Sequence, residues 1–249
     1  MLTVTGLTKS FGNRRVLDGM TLDVYAGESV ALLGANGSGK TTTLRCVVGL
    51  VRPDRGRITI GGVDAGRDPV GARKRLSYLP QKPVFPPTLT VRETLAAVAA
   101  LRRISGHAID RELDACGLAP LANRGVSQLS GGERQRLAMA IAFLPAVDLY
   151  LFDEPSANLD PAASRILLCR ARQLRREGRT LVFTTHMSAD VRHLATRTVF
   201  LRDGRIERMF EGDLWGYGHE DLVAGDRVVV DGWLHGEGAL ARSGAVGSR

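Results

Sequence analysis

The octapeptide GANGSGKT at residues 34–41 constrains this chain more than any other stretch. It satisfies G-x-x-x-x-G-K-[ST] at every fixed position, follows the apolar run SVALL (29–33), and opens a helix-compatible run from 40 to about 50. A strand, a glycine turn and a helix in that order let successive backbone N–H groups point inward at phosphate oxygens. The positive end of the helix lies beneath them. Lys40 then reaches the β- and γ-phosphates of a nucleotide, and Thr41 can hold Mg²⁺. The expected cradle comprises Gly34, Ala35, Asn36, Gly37, Ser38, Gly39, Lys40, Thr41 and Thr42.

Such a loop needs acids opposite it, and VDLYLFDEP (147–155) supplies them. An apolar strand buries itself in a sheet and delivers its acids at the C-terminal end, where α/β sheets bind ligands. Asp153 is placed to orient Mg²⁺, directly or through water. Glu154, next along, would act as general base or orient the water that attacks a γ-phosphate.

The pattern around these two segments is an alternation of strands and helices. Strands are expected at LTVTGL (2–7), MTLDV (20–24), SVALL, RITI (57–60) and LSYLP (76–80). KPVFPPTLT (82–90) is too rich in proline for regular structure. A helical tract follows from 90 to about 144, opened by a capping box of Thr90 and Glu93. The alternation then resumes with DLYLFD, the helix PAASRILLCRARQLRRE, the strand RTLVFTTH, a short helix near 188–195 and the strand TVFLRD. Strand and helix alternating around an inserted helical block predict an α/β fold with a mostly parallel sheet and a helical lobe. From 216 onward the chain is glycine-rich, with a short candidate strand VVV (228–230), and is read as partly disordered.

Composition excludes more than it assigns. No run of eighteen apolar residues exists, so no transmembrane helix is expected, and the N-terminus lacks the pattern of a signal peptide. Cys46, Cys116 and Cys169 share no metal-ligand spacing and are expected to be buried, reduced thiols of a cytosolic protein. The net charge of +8 comes almost wholly from arginine, yet no block of five like charges occurs. Unclustered charge does not argue for nucleic acid, and no nucleic-acid partner is expected.

One further segment joins the phosphate loop. LSGGERQR (129–136) places Ser130 and the amides of Gly131 and Gly132 at a helix start, a second anion-seeking turn. Taken together, the motifs resemble the nucleotide-binding subunits of ABC transporters over roughly residues 2–210. GANGSGKT is similar to the Walker A loop, and LSGGE matches the family signature. LYLFDE (149–154) resembles Walker B with its catalytic glutamate, and SANLD (156–160) resembles the D-loop. Gln81 falls at the Q-loop position and His186 at the switch histidine.

The resemblance implies a P-loop NTPase fold, RecA-like, with an antiparallel β subdomain and an inserted helical subdomain at about 85–145. The ATPase domain would span 1–215 and the tail 216–249. ATP and Mg²⁺ are the implied ligands. Phe11 would stack on adenine with Val16 beside it, and Gln81 would sense Mg²⁺ and the attacking water. His186 would hold the γ-phosphate, the water and Glu154 in line. Ser130, Gly131, Gly132, Glu133 and Asp160 would serve ATP bound to a second subunit, arranged head to tail, for which a second copy of this chain is expected. Transport would run through a separate integral membrane permease, placing the chain in the cytoplasm at the inner face of the membrane. PVFPP (83–87) is expected to be exposed and to line the groove that receives a helix of that permease. The GKTTTLR run and the short tail resemble subunits of exporter-type (ABC-2-like) permeases. The alternatives are an importer ATPase, or an ABC ATPase acting on DNA or ribosomes.

Overall fold

Three segments of the chain are buried at every position: β3 (Ser29–Leu33), β7 (Leu149–Asp153) and β8 (Thr180–Thr184). Apolar, β-branched runs without alternation suit the interior of a parallel sheet covered on both faces. The computed structural model, which describes residues 1–211 apart from Asn158 and Met187, arranges them so. The six-stranded sheet has the order β10-β9-β3-β8-β7-β6, adding β6 (Leu76–Leu79), β9 (Arg197–Arg202) and β10 (Arg205–Glu211). All its neighbouring pairs are parallel except β9 with β10.

A second, antiparallel sheet has the order β2-β1-β4-β5, from β1 (Leu2–Phe11), β2 (Arg14–Val24), β4 (Arg55–Ile60) and β5 (Val63–Asp64). Period-two alternation divides the core between the two faces of the parallel sheet. Val30 and Leu32 of β3 join Leu2, Val4, Leu22 and Ile60 of the antiparallel sheet, together with Leu44 of α1 (Lys40–Val48). Ala31 and Leu33 face the other way, into a cluster with Phe152, Phe183, the helical lobe and α6 (Pro161–Arg176).

The lobe lies in sequence between β6 and β7 and contains α3 (Val91–Arg102), α4 (His107–Ala115) and α5 (Gly131–Phe143). Thr90 caps α3 through the reciprocal box with Glu93. The expected single tract is broken after Arg102, whose follower Arg103 takes a left-handed conformation, and again by two 3₁₀ turns before α5. Glu112 of α4 is fully buried. Both its oxygens accept from Arg170 Nη2 of α6, at 2.8 and 2.9 Å, and Arg170 lies over the Phe143 ring. This pair fastens the lobe to the helix that follows the D-loop.

Several expectations need correction. β2 begins at Arg14 rather than 20, and β1 runs on to Phe11, because the outer end of their hairpin is exposed and lacks an apolar signal. α2 (Pro69–Lys74) and β10 had no counterpart in the sequence reading. Cys46 and Cys116 are buried but Cys169 is exposed, on the face of α6 opposite Ala163, Leu167 and Ala171. Phe85 packs partly against the core of the lobe, while its neighbour Val84 is 91% exposed. The segment VVV (228–230) and the glycine-rich tail lie outside the described residues.

Among the described residues no helix is long and apolar enough to cross a membrane.

Candidate active site

The phosphate loop is held open by what its glycines exclude. A Cβ on Gly34 would stand 2.3 Å from Leu201 O and 2.6 Å from Ser38 Oγ. One on Gly39, at φ 108°, would meet Leu17 Cδ2 at 2.7 Å and Val16 O at 2.9 Å. Both positions therefore accept only glycine. Ala35, Asn36 and Gly37 form the exposed crest, whereas Ser38, Gly39 and Lys40 are buried beneath it. Lys40 Nζ donates across the loop to Gly34 O at 2.6 Å and Ala35 O at 3.1 Å. Burial lowers its pKa, and the nearby carboxylates of Glu154 and Asp153 oppose that shift.

Asp153 ends β7 and is buried, and among the described residues its carboxylate takes hydrogen bonds from hydroxyl groups. Thr41 Oγ1 donates to its Oδ1 at 2.8 Å, Thr184 Oγ1 to the same oxygen at 2.8 Å, and Tyr78 OH to Oδ2 at 3.3 Å. A buried carboxylate hydrogen-bonded by neutral hydroxyls, with no ion pair of its own among the described residues, is a fitting ligand for Mg²⁺. Thr41 and Asp153 would hold the ion, and the ion would neutralise charge on the phosphates. Gln81 stands one residue further out, on Glu154, and makes no hydrogen bond to this pair.

Glu154 takes a left-handed conformation, φ 47°, just after the strand. Its N–H donates to Thr184 O at 3.1 Å and Thr184 Oγ1 at 2.8 Å, which holds the turn in place. The side chain is thereby aimed at two partners. Gln81 Nε2 donates to Glu154 Oε2 at 2.6 Å, and His186 Nδ1 lies 3.7 Å from the same oxygen. His186 is half exposed and Glu154 mostly buried, so the trio forms the wall of an open site.

Phe11 is 51% exposed at the tip of the β1–β2 hairpin, with Lys9 Nζ 5.4 Å from its ring centroid. An aromatic face left to solvent beside a phosphate cradle suits a stacked base. Val16 is half-buried, and its carbonyl backs Gly39. Thr42 follows Thr41 in the first turn of α1 and is half-buried.

The second anion-seeking turn stands apart from this cluster. Ser130 caps α5, its Oγ accepting from Glu133 N at 3.2 Å, while Glu133 Oε2 accepts from Ser130 N at 2.7 Å. That exchange holds Glu133 below its usual pKa and commits its carboxylate to the cap. Among the described residues no hydrogen bond or ion pair joins Ser130, Gly131, Gly132 or Glu133 to the phosphate loop. Asp160 caps α6 by accepting from Ala163 N at 2.8 Å, and a Cβ on Gly132 would lie 3.5 Å from its Oδ2. The signature turn and the D-loop aspartate are thus neighbours of each other.

Sequence reasoning missed Thr184, Tyr78 and Asp190. Asp190 of α7 (Ser188–Leu194) is buried, and its Oδ2 accepts from Ser156 Oγ and from Thr185 Oγ1 at 2.7 Å, tying the D-loop to the segment before His186. The threonines of FTTH were the only available signal, since hydroxyls flanking a strand end are common.

A glycine cradle on a strand–helix turn, a hydroxyl–carboxylate pair beside it and an amide-held glutamate define a P-loop ATPase core. The chain belongs to the ABC transporter family, whose profile matches residues 17–157. The Nod factor export ATP-binding protein I of Burkholderia lata is 36% identical over 201 residues, covering 79% of this chain and 66% of that protein. The chain therefore spans about two thirds of that relative's length. A solved ATP-binding subunit of an ABC transporter superposes with TM-score 0.82 at 31% identity, covering 93% of this chain and 98% of the other. The ATP-binding cassette MJ0796, solved as a dimer in a post-hydrolysis state with ADP and Pi, gives TM-score 0.79 at 26% identity. It covers 85% of this chain and 98% of that one.

Proposed function

We propose that this chain is the ATP-hydrolysing subunit of an exporter-type ABC transporter, acting as a head-to-tail dimer on a separate membrane permease. The observation that carries the reading is the convergence of Gln81 and His186 on Glu154 Oε2, close to the Thr41–Asp153 pair. Phe11 and Val16 receive adenine, residues 34–42 the phosphates, and Thr41 and Asp153 the magnesium ion. Glu154 takes a proton from, or orients, the attacking water, with His186 and Gln81 fixing its direction.

Dimerisation answers why one chain carries two anion-seeking turns. Ser130 and Gly131 are exposed, and no hydrogen bond among the described residues joins them to the phosphate loop, which supports their use on ATP held by a second copy. Gly132, Glu133 and Asp160 belong to the same face. Hydrolysis would remove the shared phosphate and weaken the pair, a ligand-driven two-state switch. The solved dimer of the MJ0796 cassette supports this arrangement.

Export as the direction rests on the relative named for Nod factor export. Docking of the permease rests on Val84, an apolar side chain held in solvent at the entrance to the helical lobe just after Gln81. Residues 1–215 would form the ATPase unit on the cytoplasmic face of the membrane, with 216–249 as a tail. The test is phosphate release by the full chain with and without its permease in vesicles. Stimulation by the permease, lost on Val84→Asp, is the expected result; equal rates in every case would refute the transport reading.

A further inference from the structure

We infer that Arg14 is a further phosphate-contacting residue of the nucleotide site. Arg14 pairs with Phe11 across the β1–β2 hairpin, so it stands between the exposed ring and the phosphate loop. Its guanidinium reaches the crest of that loop: a Cβ on Gly37 would lie 3.0 Å from Arg14 Nη2. The glycine there leaves room for the approach.

The surrounding charges single Arg14 out. Arg15 and Arg205 both bond Asp18, at 3.0 and 2.6 Å, and Lys9 bonds Asp54 at 2.9 Å. Among the described residues Arg14 has no carboxylate or carbonyl acceptor. The guanidinium lies against the crest of a loop whose motif directs N–H groups at phosphate, so an anion entering there meets positive charge from both sides. The planar fork of arginine suits phosphate oxygens better than a point charge would. Arg14 therefore closes the open side of the cradle over the phosphates, opposite Lys40.

The inference rests on the nucleotide reading of the site, and its test separates the two. Calorimetric titration of the full chain with ATP and with adenosine, for the wild type, Arg14→Ala, Arg14→Lys and Lys40→Ala, gives the relevant affinities. Arg14→Ala is expected to weaken ATP roughly tenfold, the scale of one charge-assisted contact at an exposed site. Adenosine should change less than about twofold, and Arg14→Lys should fall between. Unchanged ATP affinity in Arg14→Ala, with Lys40→Ala impaired, would overturn the role of Arg14 alone. Equal losses of ATP and adenosine would also overturn it, placing Arg14 under the base. ATP binding unaffected by Lys40→Ala would overturn the nucleotide reading and the inference with it.

Discussion

Gln81 Nε2 donates to Glu154 Oε2 at 2.6 Å, so the glutamate at the end of β7 is held by a residue that leads into the helical lobe. On the proposed function, a movement of the lobe would redirect the carboxylate through this bond. Glu154→Gln removes the proposed base or water-orienting carboxylate and should lower phosphate release by about 10²–10⁴-fold. Gln81→Ala leaves the carboxylate but not its aim, so a smaller loss is expected, in kcat more than in KM. Steady-state kinetics on the two variants checks the order.

Asp153 is buried and its side chain accepts from three hydroxyl donors. Asp153→Asn keeps the shape and removes the charge. The magnesium concentration for half-maximal ATPase activity should rise at least roughly tenfold, the scale of one lost charge-assisted ligand. Chelation should stop the wild-type reaction. A magnesium titration of activity measures both.

Glu112 and Arg170 form a buried pair in which one partner is fully shielded and the other only slightly open. Arg170→Leu removes the closer cation from a buried carboxylate, leaving Arg111 Nε at 3.4 Å, and should cost about 3 kcal/mol, the lower end for breaking such a pair. The double change Glu112→Leu with Arg170→Leu should recover most of that loss, because well-packed apolar groups replace buried pairs at little cost. Urea unfolding of the wild type and the two variants gives the comparison.

The thiols should differ in reactivity. Burial pushes Cys46 up to about 11 and Cys116 up to about 12, so neither forms thiolate near neutrality. Cys169 is exposed on α6. At pH 8 a thiol reagent should label one cysteine in the native protein and three after unfolding, with mass spectrometry placing the first label on Cys169.

The parts of the site written in consecutive residues were legible beforehand. The phosphate loop, the Asp153–Glu154 pair and the helix start at Ser130 each need one segment and its local geometry. Thr184 and Tyr78 were hidden because they depend on sheet register: Asp153 meets Thr184 only through the parallel alignment of β7 and β8. β10 escaped notice because an edge strand with mostly exposed residues carries no apolar period. Cys169 was readable in principle. The buried positions of α6 recur at helical spacing, which sets residue 169 on the opposite face.

The two anion-seeking turns remain the central point, because on the proposed function one chain would bring only one of them to its own nucleotide. The direct test is the mass of the Glu154→Gln variant in solution, by light scattering during size exclusion, with ATP and without. A monomer of 26.8 kDa without nucleotide and about twice that mass with ATP is predicted, with Ser130→Arg abolishing the shift. A variant that binds ATP yet stays at the monomer mass at every concentration would contradict the account.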